Sequence, residues 1–310
     1  MTETAVLLGP RTSPLVGVVC DPPGGAGATH DVACLFLNAG FTHRVGPQRL
    51  HVRVARRLAA MGVPSLRFDY SGVGDSGTRS DATSMEDSTI EEAQEAMRFM
   101  TATRGVQRFV LIGVCWGADN ALRVCGADPR VAAVAAIDFY SVYSFRYFVR
   151  THKSRLLDPR SLGSLFLGRS AAPARLVAGL IEIAKSRRAK RRAPTAQPQA
   201  ADAEDGMLPV RSPDSIVKGL RGLVDRGAQI LMVYARGAPS FDQYQMHFRR
   251  PMAELERSGR FRVEVFAHAD HVFTRLRNQA WLIELLLQWV SDMAVGAGTD
   301  EHVALEARVS

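Results

Sequence analysis

The sequence has no long apolar run and few cysteines. Its 310 residues contain no hydrophobic stretch close to the roughly 18 residues that a membrane span requires. The segment 1–9 lacks a basic region followed by an apolar core, so we expect no secretory signal. The four cysteines show neither metal-ligand spacing nor a disulfide framework. These absences predict a protein of the reducing cytoplasm that uses neither a metal nor another cofactor.

Basic charge is concentrated in one short stretch. A net charge of +8 and an isoelectric point near 9.7 would suit a nucleic-acid-binding protein if the charge covered a surface. However, six basic residues fall within 185–192, ahead of Ala-, Pro- and Gln-rich sequence. This composition is typical of a solvated, disordered linker, which we place at about 185–207. We therefore expect no nucleic-acid partner; docking of an acidic carrier protein is the alternative role for this run.

Apolar runs alternate with amphipathic segments along most of the chain. Strands are predicted over 15–20, 32–37, 63–70, 109–112, 131–137, 229–235 and 261–267. Helices are predicted over 47–61, 216–227 and 278–293. Three more are predicted: one capped by Asp87 or Ser88, one that starts near Trp116, and one that follows the loop 236–242 and ends at about 258. Most of these strands are continuously apolar, which predicts an α/β fold with a mostly parallel central sheet and helices on both faces. Ligands of such sheets bind beyond the carboxyl ends of the strands.

One long interruption breaks this alternation. Residues 140–213 separate a first part of the core, 1–139, from a second part, 214–295, and 296–310 have the composition of a flexible tail. We interpret the interruption as an inserted lid, with a surface excursion as the alternative. It begins with aromatic residues that would suit an apolar binding tunnel, and we select Tyr140, Tyr143 and Phe145 as candidate substrate contacts.

The stretch 113–117, Gly-Val-Cys-Trp-Gly, joins a predicted strand to a predicted helix. A nucleophile at such a turn has strained backbone geometry, and a glycine two residues away on either side leaves room for the strand and the helix. The helix would direct free N–H groups and its positive dipole end at Cys115, which favours a thiolate. The N–H of Trp116 would stabilise an oxyanion. A buried cysteine between two packing glycines is the alternative interpretation.

Several segments together resemble the α/β-hydrolase fold family, in which nucleophile, acid and histidine follow in this order. The segment 38–43 is similar to the loop that supplies the second oxyanion N–H in this family. The segment 67–77 resembles the family's D-x-x-G-x-G-x-S segment, and the segment 270–273 resembles its catalytic-histidine turn. The segment 38–47 also resembles small hydrolases associated with bacterial exopolysaccharide and exosortase gene clusters. The cysteine in the elbow is similar to that of dienelactone hydrolases and of polyhydroxyalkanoate synthases, which are acyltransferases.

This resemblance implies a catalytic triad. Its histidine is expected at His271, between the last strand and the last helix, with His268 as the competitor. An acid is expected directly after strand 229–235, but the first carboxylate there is Asp242, which could instead cap the following helix. Asp138, at the end of the preceding parallel strand, is the alternative acid. We predict Asp242 as the triad acid and keep Asp138 open.

The resemblance also implies an oxyanion hole and an acyl-transfer reaction. Its N–H donors would be those of Trp116 and of Phe41 or Gly40. Cys115 would form an acyl intermediate from a small-molecule ester or thioester, which water would then hydrolyse. The alternatives are an acyltransferase that draws on CoA or carrier-protein thioesters, and a catalytically inactive binding protein that retains the hydrolase fold.

Overall fold

Eight strands form one sheet within the described part of the chain. The computed structural model describes residues 1–10, 12–24, 31–81, 83–139 and 212–295. The predicted linker 185–207, the tail 296–310 and all but the last two residues of the predicted lid lie outside these ranges. The strands are β1 (Thr2–Leu8), β2 (Leu15–Asp21), β3 (Val32–Leu37), β4 (Ser65–Phe68), β5 (Arg108–Val114), β6 (Val131–Ile137), β7 (Gln229–Ala235) and β8 (Phe261–Phe266).

The sheet is mostly parallel, as predicted. Its order is β1-β2-β4-β3-β5-β6-β7-β8. The pairs β1–β2 and β2–β4 are antiparallel, and all pairs from β4 to β8 are parallel. All six residues of β3 are buried, which explains its continuous apolar sequence because helices cover a parallel sheet on both faces. The carboxyl ends of the parallel strands therefore meet at one edge, where the candidate site lies.

Seven helices are found among the described residues. They are α1 (Leu50–Ala60), α2 (Met85–Arg104), α3 (Trp116–Ala127), α4 (Pro213–Asp225), α5 (Pro239–Gln243), α6 (Arg249–Glu256) and α7 (Leu276–Val295). A 3₁₀ turn, Pro47–Arg49, precedes α1, and a π-helical turn, Tyr244–Phe248, joins α5 to α6. No helix in the described ranges is long and apolar enough to cross a membrane.

The helices divide between the two faces of the sheet. Val110 and Ile112 of β5 belong to the core cluster that contains the apolar side chains of α1 and α7. Their neighbours Phe109 and Leu111 are also buried, and they point to the opposite face because side chains alternate along a strand. α3 packs on β5 and β6 and against α2. Cys115 therefore lies at the turn between two packed elements, the strand β5 and the helix α3.

Among the differences from the sequence prediction, two concern helices and one concerns a strand that the sequence did not indicate. α2 begins at Met85, and its N-cap is Ser84, whose Oγ accepts a hydrogen bond from the Asp87 N–H at 3.1 Å, so neither Asp87 nor Ser88 is the cap. The helix predicted up to about 258 is interrupted by the π-helical turn. β1, an edge strand, was not predicted: its first three residues are polar, and most of its side chains are exposed.

Candidate active site

Cys115 lies at the turn between β5 and α3 in a strained backbone conformation. Its φ is 57° and its ψ is −114°, in the positive-φ region that residues other than glycine seldom adopt. The conformation is held because the Cys115 N–H donates to the Ile137 carbonyl at 2.8 Å and the Cys115 carbonyl accepts from the Ala118 N–H at 3.1 Å. The partly buried thiol therefore lies beyond the end of β5 with a fixed orientation, as the nucleophile-elbow prediction requires.

The two glycines of the elbow are sterically required. A Cβ on Gly113 would lie 2.1 Å from the Gly117 carbonyl oxygen, and a Cβ on Gly117 would lie 2.7 Å from the Asn38 carbonyl oxygen. Both obstacles are backbone atoms, which cannot rotate away as a side chain can. The close approach of β5, α3 and the segment after β3 thus depends on the absence of these side chains.

We expect Gly113→Ala to destabilise the protein by about 3 kcal/mol or more, because the added methyl group overlaps backbone that the packed sheet and helix hold in place. Urea unfolding followed by circular dichroism measures this loss. Gly126→Ala, in the helix α3 that follows β5, is the control: its Cβ meets no atom within 4 Å, so stability should change by no more than about 1 kcal/mol. Equal stability of the two variants would contradict the steric argument.

His271 occupies the loop between β8 and α7 and faces a buried carboxylate. Its Nδ1 lies 3.3 Å from Oδ2 of Asp138, without the alignment of a full hydrogen bond, and neither atom has another hydrogen-bond partner among the described residues. The competing His268 is exposed, and its carbonyl accepts a hydrogen bond from Asn278 at 2.8 Å, which indicates a role in the loop backbone.

Asp138 is held rigidly beyond the end of β6. Its side chain is fully buried, and its φ of 49° is again positive. Its Oδ1 accepts hydrogen bonds from the Ala235 N–H and the Ser240 hydroxyl, both at 2.8 Å, so Oδ2 is left to face His271. Asp242, which the sequence analysis preferred, lies in the first turn of α5. The carboxylate that faces His271 is thus that of Asp138, the alternative candidate, and the identity of the triad acid stays a prediction.

The environment of His271 favours its protonated form. The hydrogen-bonding interaction with Asp138 and then that with Cys115 raise the pKa of His271 to about 10, although burial alone would lower it. A positively charged imidazolium between a carboxylate and a sulfur stabilises negative charge on the sulfur. A serine nucleophile would instead need a neutral histidine as its base, so this charge state suits a cysteine.

The loop after β3 contributes a possible oxyanion-binding surface beside the thiol. Gly40 has a φ of 58° and lies in a turn closed by a hydrogen bond from the Thr42 N–H to the Ala39 carbonyl at 3.1 Å. Gly40 lines the same cavity as Cys115, whereas Phe41 is 82% exposed. Trp116 is the first residue of α3, where an N–H has no intrahelical acceptor. Assignment of the oxyanion donors to Trp116 and to Gly40 or Phe41 stays a prediction.

A buried polar network supports this loop, and the sequence analysis gave its members no such role. Asn38 donates through Nδ2 to the Thr42 carbonyl at 2.9 Å and to Asp69 Oδ1 at 3.1 Å. The fully buried Asp69 also accepts from the backbone N–H and the guanidinium of Arg44, which pairs with Asp75 at 2.7 Å. Asp69 and Arg44 lie in the segments that carried the family resemblance, so that pattern was the available signal.

A cavity of about 520 Å³ opens on the thiol. Its lining consists of most residues of 39–49 together with Val114, Cys115, His271 and Val272. This volume lies within the range of pockets that bind small molecules. The predicted substrate contacts Tyr140, Tyr143 and Phe145 lie outside the described residues.

Comparison with known proteins shows similarity only at the level of structure. No family model matches the chain, and no curated protein matches it. An esterase from Pyrococcus furiosus is 15% identical with a TM-score of 0.59, over 94% of this chain and 91% of that one. A proline iminopeptidase from Mycobacterium smegmatis is 14% identical with a TM-score of 0.57, over 95% and 100%.

A third similar structure is that of an alpha-beta serine hydrolase homologue from Coxiella burnetii, 14% identical with a TM-score of 0.52, over 94% of this chain and 98% of that one. Identities this low establish the fold and not the reaction. The mostly parallel eight-stranded sheet, the sharp turn after β5 and these similarities lead to one conclusion: the chain has the α/β-hydrolase fold.

Proposed function

We propose that this protein is an acyl-transfer enzyme that hydrolyses an ester or thioester through an acyl intermediate on Cys115. The observation that carries the proposal is the contact of His271 with Cys115 on one side and with the buried Asp138 on the other. In this assignment Cys115 is the nucleophile, His271 transfers the protons, and Asp138 orients and charges the imidazole. Asp242, the acid that the sequence favoured, has no role in this assignment.

In the first half of the reaction the Cys115 thiolate attacks the carbonyl carbon of the substrate. A C–S bond forms, and the carbonyl oxygen takes up negative charge, which the N–H groups of Trp116 and of Gly40 or Phe41 would stabilise. The tetrahedral intermediate then expels the alcohol or thiol. Protonated His271 donates its proton to this leaving group, which leaves an acyl-Cys115 thioester and a neutral imidazole.

In the second half the neutral imidazole accepts a proton from water as the water oxygen attacks the thioester carbonyl. Collapse of the second tetrahedral intermediate breaks the C–S bond and releases the carboxylic acid. The products of this half are the thiolate and the protonated imidazole, which are the species present at the start. Asp138 stays ionised throughout and stabilises the imidazolium.

Transfer to an acceptor other than water is the second candidate function. A cysteine nucleophile in place of serine favours it, since an acyl thioester reacts more readily with amines and thiols than an oxoester does. A CoA or carrier-protein thioester would then be the acyl donor. The third candidate, an inactive binding protein, was favoured by the lack of an acid directly after strand 229–235. Asp138 faces His271 and could serve as that acid, so this candidate receives less support.

The names of the similar proteins agree with acyl-bond chemistry without defining a substrate. Two of the three are an esterase and a proline iminopeptidase, and the third is a serine hydrolase homologue. A cysteine at the elbow of this chain departs from the serine that the last of these names implies. The acyl group and its acceptor therefore have to be identified by experiment.

Intact-mass spectrometry with S-phenyl thiobutyrate and p-nitrophenyl butyrate tests the proposal. We expect a butyryl adduct, located by peptide mapping to Cys115, that water clears. An adduct that persists in water and disappears on addition of an amine or thiol identifies a transferase. Absence of an adduct with both reagents, or an equal adduct in Cys115→Ala, contradicts the covalent mechanism.

A further inference from the structure

The lining of the cavity beside Cys115 includes one arginine, Arg49. It lies in the wall formed by residues of 39–49, together with the polar side chains of His43 and Gln48. No Asp or Glu is among the described residues that line the cavity. An open cavity with an arginine and without carboxylates in its lining attracts anions, because no negative charge of the lining offsets that of the guanidinium. The charge of the lining therefore indicates the charge of the substrate, which the reacting residues alone do not indicate.

Arg49 differs from its neighbour Arg44 in its partners. Arg44 is neutralised by Asp69 and Asp75. Arg49 makes no ion pair with any residue in the described ranges, and Glu3, whose pKa Arg49 helps to lower, is paired with Arg56 and Arg67. Of the two arginines in the segment that forms this wall, Arg49 is therefore the one whose guanidinium is available to a ligand.

The backbone around Arg49 places this residue at the cavity. Gln48 and Arg49 have successive positive φ values of 49° and 61°, where the chain turns from the 3₁₀ turn into α1. α1 has no side-chain cap and no acidic residue in its first turn. Its first N–H groups therefore have no anionic side chain of the helix itself nearby, and they add to the positive character of this wall.

We propose that Arg49 is a specificity-determining residue that binds an anionic group, a carboxylate or a phosphate, on the substrate of Cys115. This inference rests on the proposed acyl-transfer function and narrows its substrate class. The anion has two chemical sources: a second carboxylate on the acyl group, or the phosphate of a phosphopantetheine-type leaving group. Arginine binds both through paired N–H donors.

Alkylation of Cys115 measures this charge without any turnover. Iodoacetate and iodoacetamide have nearly the same size and differ in charge, so the ratio of their rates at Cys115 reports the local field. We expect Arg49→Gln to lower the ratio of iodoacetate to iodoacetamide rates about fivefold, as for a charge-assisted contact that solvent partly screens. Arg49→Lys should retain most of the wild-type ratio because it retains the charge.

Arg257→Gln is the matched control, since Arg257 is exposed at the end of α6 and is not among the lining residues. It should leave both rates unchanged. An unchanged ratio in Arg49→Gln, or an equal change in Arg257→Gln, overturns the inference.

Protection experiments then separate the two sources of the anion. Stronger protection of Cys115 from iodoacetamide by glutarate than by inorganic phosphate supports a carboxylate on the acyl group, and the reverse supports a phosphate on the leaving group. Absence of protection by both anions overturns the inference. Since none of these readings needs an acyl adduct, they are distinguishable from a failure of the mass-spectrometric test of function.

Discussion

Cys115→Ala is expected to lower kcat/KM for p-nitrophenyl butyrate by about a thousandfold or more. The thiolate forms the bond to the acyl carbon, and alanine offers no nucleophile, so only binding and oxyanion stabilisation would remain. Cys115→Ser should also lose most activity. The interaction with Asp138, which this variant retains, raises the pKa of His271, so the imidazole is less available as the base that a hydroxyl nucleophile needs. Steady-state kinetics at pH 7 measures both losses.

Labelling with iodoacetamide at pH 6 gives an independent measure of the same group. Burial raises the pKa of the thiols of Cys20, Cys34 and Cys125, which should therefore react slowly. Cys115, beside protonated His271, should be the residue that is carboxamidomethylated. Thermal unfolding of Cys115→Ala controls for loss of structure. Retention of more than about a tenth of wild-type kcat/KM by a folded Cys115→Ala protein would exclude Cys115 as the nucleophile.

Asp138→Asn is expected to lower kcat/KM by about 10²- to 10⁴-fold, whereas Asp242→Asn should have a small effect. An asparagine can still accept the two hydrogen bonds from Ala235 and Ser240 through its oxygen, but it then presents an NH₂ group to His271 Nδ1. Two donors would face each other and the imidazolium would lose its counter-ion. The order of magnitude follows the general behaviour of Ser-His-Asp triads, in which the orienting acid makes a contribution of this size.

The pKa of His271, followed by NMR, distinguishes this role from a merely structural one. Because the interaction with Asp138 is the main cause of the raised value, Asp138→Asn should move the pKa of His271 down from about 10, and Asp242→Asn should leave it in place. A large loss of activity in Asp242→Asn with a normal Asp138→Asn would restore the original preference. Equal unfolding midpoints in urea would show that both variants fold.

Much of the fold follows from apolar patterning. The runs 32–37, 131–137 and 229–235 were predicted with the bounds that β3, β6 and β7 have, because a strand buried on both faces is apolar at every position. Patterning is less informative where burial is partial. β1 is mostly exposed and was missed, and the break between α5 and α6 has no proline or glycine at the π-helical turn to indicate it.

The elbow could be recognised from the residues alone. Gly113 and Gly117 flank Cys115 in a strand-to-helix context, and this local pattern predicts the elbow, although the obstacle at Gly117 is the carbonyl oxygen of the distant Asn38. His271 could also be located, since its place between the last strand and the last helix follows from the order of elements. Both predictions concern positions defined by neighbours in the chain.

The acid depended on the tertiary structure. Asp138 and Asp242 each follow a parallel strand, so their order along the chain could not distinguish them. The difference arises because β6 and β7 are adjacent and hold the Asp138 carboxylate between Ala235, Ser240 and His271, which are distant from it in sequence. Tertiary contacts distinguish Arg44 from Arg49 in the same way. Asp69 and Asp75 neutralise Arg44, whereas Arg49 lines the cavity. Local pattern can indicate a strand-to-helix turn, but the partners of a charge are set by which distant segments the sheet brings together.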